Sequence, residues 1–231
     1  MKKRLLIRQA VAIGGAALVL ASSTLGVTAY NYLKPTAAAS APSASVALAA
    51  PQTSSGTVYQ LQSSRARFIV DEVLRGSPFT VVGATDQVAG QLAIDTSNTS
   101  TAQLGTILID ARTLATDDSS RNRALGNQML DTNQYEYISF TPTAISGLPA
   151  QLTVGESYAV QLSGDLTIKD VTRRTVFDVT VTPTADGGLA GTATSTIQYA
   201  DWGVSIPSVP FVASVDNQVT LQLDFTASAE A

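Results

Sequence analysis

Between Gly164 and Val181 the chain alternates twice between apolar and polar positions. Leu166 and Ile168 are interleaved with Asp165, Thr167 and Lys169, and Phe177, Val179 and Val181 with Asp178 and Thr180. A period of two sends successive side chains to opposite faces of a pleated strand, so the pattern predicts two half-buried strands folded on each other. The polar run over residues 170–174 reads as a four- or five-residue hairpin loop between them. The same period recurs with Phe68 and Val70, with Val88, Leu92 and Ile94 around Gly90, and with Ile138 and Phe140. It recurs again with Tyr158, Val160 and Leu162, with Ile197 and Tyr199, and with Val219, Leu221, Leu223 and Phe225. Residues 104–110 form an apolar run of strand length. Turn signals stand at Gly76-Ser77-Pro78, Ser97-Asn98, Ser146-Gly147-Leu148-Pro149 and Asp186-Gly187-Gly188. One segment departs: residues 117–130 open on capping residues and set Leu125 and Met129 four apart, which predicts a short helix weakened by Gly126. About nine strands, one helix and no βαβ alternation predict an all-β antiparallel barrel or sandwich.

The first 56 residues follow another pattern. Residues 1–8 are basic and residues 9–33 carry no charge, a length that as a helix spans a bilayer of about 30 Å. The basic flank stays on the cytoplasmic side, so the rest of the chain faces outward. Over residues 1–34 two readings stay open: a retained transmembrane signal anchor, or a signal peptide removed near the small residues Val27-Thr28-Ala29. Residues 35–56 are almost entirely Ala, Ser, Pro, Thr and Val, and read as a semi-extended linker. A single folded domain is expected over residues 57–228. The expected localisation is extracytoplasmic, membrane-anchored or, after cleavage, secreted or periplasmic.

Composition narrows the chemistry. With no cysteine and no histidine, the chain has no thiol nucleophile, no Ser-His pair and none of the commonest metal ligands. Lys169 is the only lysine after Lys34, and no nucleophile elbow, phosphate loop or paired catalytic carboxylates can be identified. The chain is read as non-catalytic and without a metal site. After Lys34 there are nine basic against 18 acidic residues, a formal −9, which repels phosphate backbones and argues against nucleic acid.

Four pieces in order resemble a known family. Val82-Gly83-Ala84-Thr85 with Val88-Ala89-Gly90 resembles its paired-glycine strand. Residues 109–116 followed by Arg121-Asn122-Arg123 resemble its transition into a helix. Met129-Leu130-Asp131 through Tyr135–Phe140 resembles a third motif, with Glu136 where a proline is usual. Residues 164–173 resemble its G-x-L-t-i hairpin, with Asp170 in place of a common glycine. Together with Asp201-Trp202-Gly203, these resemble the YceI-like, polyisoprenoid-binding family over about residues 58–227.

The resemblance implies a lipocalin-like antiparallel β-barrel of about eight strands, exported from the cytoplasm. It also implies an apolar tunnel that holds a long isoprenoid chain, often a quinone or polyprenyl phosphate, with no catalytic residues and no cofactor beyond that lipid. The inward candidates are Phe68, Val70, Leu92, Ile94, Ile138, Phe140, Val160, Leu162, Leu166, Ile168, Phe177, Val179, Leu221 and Leu223. Ordinary core packing is the competing reading of each. Arg121, Arg123, Arg173, Arg174 and Trp202 are candidates for a head group at a barrel mouth, since guanidinium suits phosphate or quinone oxygens. Solvated loop charge and strand-end packing compete there. The expected function is storage or transport of the lipid; the alternative is an extracytoplasmic structural or adhesion module with a solid barrel. Exposed edge strands or a shared tunnel mouth would support a homodimer.

Overall fold

A computed structural model describes residues 56–210 and 212–230. The helix expected over residues 1–34 and residues 35–55 of the expected linker lie outside them. Thirteen described strands belong to one sheet: β1 (Thr57–Leu61), β2 (Arg65–Leu74), β3 (Ser77–Thr85), β4 (Val88–Ala89), β5 (Gln91–Asp95), β6 (Asn98–Leu104) and β7 (Ile107–Asp110), then β8 (Tyr137–Ser146), β9 (Tyr158–Ile168), β10 (Val171–Pro183), β11 (Leu189–Gln198), β12 (Val212–Val215) and β13 (Gln218–Ala229). All pairs are antiparallel. A short helix, α1 (Ser119–Ala124), lies between β7 and β8.

Several of these strands are halves of longer arms. β4 and β5 are separated only by Gly90, so the expected strand over residues 88–95 is one arm with an interruption. Hydrogen-bonded neighbours run from β4 through β7, β8, β9, β10, β11, β13 and β1 to β5, which brings the path back to that arm. The sheet is therefore strongly curled around its apolar face. One seam stays open. β6 pairs with β5 alone, the 142–146 half of β8 pairs with β9 alone, and the cleft between them is lined by Thr99, Gln103, Pro142 and Ala144.

Burial follows the predicted alternation most closely in the β9–β10 hairpin, where Val160, Leu162, Leu166, Ile168, Val179 and Val181 are buried and their neighbours are not. The loop is shorter than expected. Ile168 pairs with Val171, which leaves only Lys169 and Asp170 in the turn, with Lys169 at φ 58°. Pairing survives through residues 172–174 because the polar side chains there have cross-strand partners: Thr172 meets Thr167 at 2.8 Å, and Arg174 meets Asp165 at 3.7 Å. Between β2 and β3 the turn is Arg75-Gly76, at φ 51° and 80°, as a two-residue hairpin loop demands. Ser77 and Pro78, expected in that turn, instead begin β3.

Two glycines make room for aromatic rings. A Cβ on Gly83 would lie 2.1 Å from the ring of Phe68, its partner across β2–β3, and one on Gly164 would lie 2.7 Å from the ring of Phe140. Each ring occupies the place that a side chain on the glycine would take. The predicted single helix over residues 117–130 is divided. Asp118 caps α1 by accepting from the Arg121 N–H at 2.8 Å, and a wider π-helical turn over Leu125–Met129 closes with Leu130 N–H donating to the Leu125 carbonyl at 2.9 Å. Leu125 and Leu130 are buried against the sheet interior.

Candidate functional site: an apolar cavity under the helix

The inward faces enclose a cavity of about 220 Å³. Its walls come from β2, β8, β9, β10, β11 and β13, and one end is covered by Leu125, Met129 and Leu130 beside Tyr199, Val204 and Ile206. A second cavity of about 90 Å³ lies toward β1 and β5. Ile107, Leu162, Ala193 and Leu223 border both, so these four side chains form the partition.

The structure gathers all fourteen apolar candidates on the interior. Phe68, Val70, Ile138, Phe140, Leu162, Leu166, Ile168, Phe177, Leu221 and Leu223 border the larger cavity. Leu92, Ile94, Val160 and Val179 border the smaller one, together again with Leu162 and Leu223. Phe140 and Phe177 meet edge to face at 4.8 Å between centroids and stiffen one wall. Sequence reasoning did not select Val81, Ile107, Ile109, Leu125, Met129, Ile197 or Val219 as wall residues, although they complete it. Ile107 and Ile109 sit in the apolar run already read as a strand, and Leu125 and Met129 on the predicted helix, so the signal was present but not assigned to the wall.

The five head-group candidates separate. Arg121 alone of them borders the cavity. Its Nη2 donates to Glu72 Oε1 and its Nη1 to Asp117 Oδ1, each at 2.9 Å, and its guanidinium lies 5.8 Å from the Phe79 ring centroid. Glu72 is 8% exposed, a burial that a carboxylate tolerates only when paired. Alternation could have found it: Glu72 follows Phe68 and Val70 at spacing two. Arg123 is exposed and donates to Ser120 Oγ at 3.2 Å. Arg174 and Asp165 form a surface pair. Arg173 Nε donates to the Asp201 carbonyl. Trp202 is buried away from the cavity, with Nε1 donating to the Leu166 carbonyl at 3.0 Å. The Asp201-Trp202-Gly203 turn is thus fastened to the β9–β10 hairpin.

The other motif pieces also meet in space. Thr85 of β3 and Thr113 share a hydroxyl hydrogen bond, and Ala84 and Ala115 bridge through both backbone amides. Asp110 accepts from the Arg112 backbone N–H at 3.0 Å, from Nε at 2.9 Å and from Nη2 at 2.8 Å, and these bonds hold its carboxyl below the usual carboxylate range against the opposing effect of burial.

The family model described as "YceI-like domain" matches residues 58–227. Among solved structures, the fold is similar to Burkholderia cenocepacia BcnA, at a TM-score of 0.55 and 18% identity over 71% of this chain and 96% of that one. It is also similar to a polyisoprenoid binding domain from Saccharophagus degradans implicated in plant cell wall breakdown (TM-score 0.57, 16% identity, 75% and 99% covered). The Campylobacter jejuni YCEI protein gives a TM-score of 0.51 at 15% identity, with 64% and 84% covered. No curated protein sequence matches. The family match spans the curled sheet, both cavities and the helix that covers the larger one, and the chain belongs to the YceI-like domain family.

Proposed function

We propose that this protein binds a lipid, and specifically that it holds a long isoprenoid chain inside a barrel-like interior for storage or transport outside the cytoplasm, without catalysing a reaction. The observation that carries the reading is the apolar cavity of about 220 Å³. Apolar cavities of about 150 Å³ lined by Leu, Ile and Phe stay dry and admit benzene, so this one has room for a segment of hydrocarbon chain. Each buried CH2 contributes about 0.8 kcal/mol, so a chain that fills the cavity needs few polar contacts. The family match and the polyisoprenoid binding domain among the similar structures support the same class of ligand.

The test is native mass spectrometry and solvent extraction of the full chain purified from a membrane-containing host. A bound species with the repeating mass of isoprene units is the expected result. Protein that carries no lipid, and whose melting temperature no added polyprenyl alcohol raises, would overturn the reading in favour of a structural module.

A further inference from the structure

We infer that the polar end of the larger cavity selects lipids with an uncharged head group, such as an alcohol or a quinone, and rejects a phosphorylated one. The inference rests on the isoprenoid-binding reading and deepens it.

Three charged residues border the cavity: Arg67, Glu72 and Arg121. An anionic head group needs a cation whose donors are free to turn toward it. Arg67 does not supply an unpaired cation: its Nη2 pairs with Asp224, which lines an outer groove with Thr192, and the one buried donor left without a protein partner, Nε, is a single N–H that a neutral oxygen can satisfy. Arg121 does not supply one either. Both of its Nη atoms are engaged, one by Glu72 and the other by Asp117, and the plane is held beside Phe79. These two cations and their three carboxylate partners, Glu72, Asp117 and Asp224, sum to a formal −1. A phosphate monoester would add one to two further negative charges beside the buried Glu72 carboxylate, in a setting where water screens poorly. It would compete with Glu72 for Arg121, and any share it took would weaken the pairing on which that buried carboxylate depends. A hydroxyl or quinone oxygen needs no such exchange, since it can share Arg121 or Glu72 through one hydrogen bond without adding charge.

The experiment compares a polyprenyl alcohol with the polyprenyl monophosphate of the same chain length, titrated against the full chain in detergent at low and high salt. The expected result is at least tenfold tighter binding of the alcohol, a gap that salt narrows only slightly because buried charges are screened far less than exposed ones. Glu72→Gln removes the buried negative charge and should narrow the gap chiefly by improving the phosphate. Asp117→Asn removes the exposed partner, leaves the buried pair in place and should narrow it less; it serves as the second variant if Glu72→Gln fails to fold. Phosphate binding as tight as the alcohol's would overturn this inference while leaving the isoprenoid reading intact. A preference unmoved by both variants would overturn the assignment to the Glu72–Arg121–Asp117 cluster. Binding of neither lipid would remove the isoprenoid reading, and this inference with it.

Discussion

At the scale of single residues, polar side chains fix where the apolar ones can go. Asp110 ends β7, accepts three N–H groups from Arg112 and is itself buried, so its carboxylate locks the start of the excursion that carries α1 over the cavity. Its folded-state pKa is depressed, chiefly by the Arg112 hydrogen bonds. A depressed carboxylate contributes stability that is whole above the unfolded value of about 4 and is lost as pH falls through the lower folded value. Asp110→Asn should therefore cost about 1–2 kcal/mol at pH 7, a figure discounted because Arg112 is partly exposed. In urea melts the gap from wild type should persist down to about pH 4 and close below it; a gap independent of pH would contradict the account. Trp202 makes a second residue-scale test. Replacing it with phenylalanine deletes the donor to Leu166 and leaves a void, at a cost of about 1–3 kcal/mol, which thermal unfolding would read. Because Trp202 packs outside the cavity, the same substitution should change lipid affinity by less than threefold, measured by titration.

At the scale of elements, the strands that were legible are those whose interior is built from their own side chains. Alternation alone located β9, β10 and β13 and put all fourteen apolar candidates on the inner face. Alternation did not show β3, whose residues 82–85 were read as strand only through the family resemblance, for a physical reason: its inward position at Gly83 is filled by Phe68 from β2, and a pattern read along one strand does not show a ring borrowed from the next. β6 was missed because its inward face is apolar only at Ala102 and Leu104, at one end of the strand, too short a run for alternation to stand out among Asn98-Thr99-Ser100-Thr101-Ala102-Gln103-Leu104. Arg121 was legible as a polar group near the cavity, and the inward place of Glu72 and the i,i+4 spacing of Asp117 were there to be read, but the pairing of Arg121 with Glu72 was not, since a contact over 49 residues leaves no local signature. The seam between β6 and β8 leads to an expectation for dynamics. β6 has a strand neighbour on one side only and its register with β5 is interrupted between Ala93 and Asp95, whereas the β9–β10 ladder is paired without a break from Ile168 to Tyr158. Native-state hydrogen exchange should therefore show β6 losing protection at least a hundredfold faster than the centre of β9, and uniform protection across both would count against an open seam.

At the scale of the molecule, the interior is divided, and the partition has a size. Leu162 and Leu223 are the bulkiest side chains, with Ile107, that border both cavities, so the hydrocarbon space is about 220 Å³ on one side of them and about 90 Å³ on the other. A partition made of side chains can be removed without moving the backbone. Leu162→Ala would join the two spaces and in the empty protein should cost about 2–5 kcal/mol, the range for a leucine deleted from a packed core. If chain binding depends on this interior, a ligand long enough to enter both spaces should restore part of that loss, because the methylenes it buries replace those removed. The comparison is the rise in melting temperature produced by a short and by a long polyprenyl alcohol in wild type and variant. In wild type the partition caps the depth of insertion, so lengthening the chain beyond the larger cavity adds little. In Leu162→Ala the long chain should raise the melting temperature several degrees more than the short one. An equal response to both lengths would mean that the cavities do not act as one channel even when the partition is gone, and that the chain is held by the larger cavity alone.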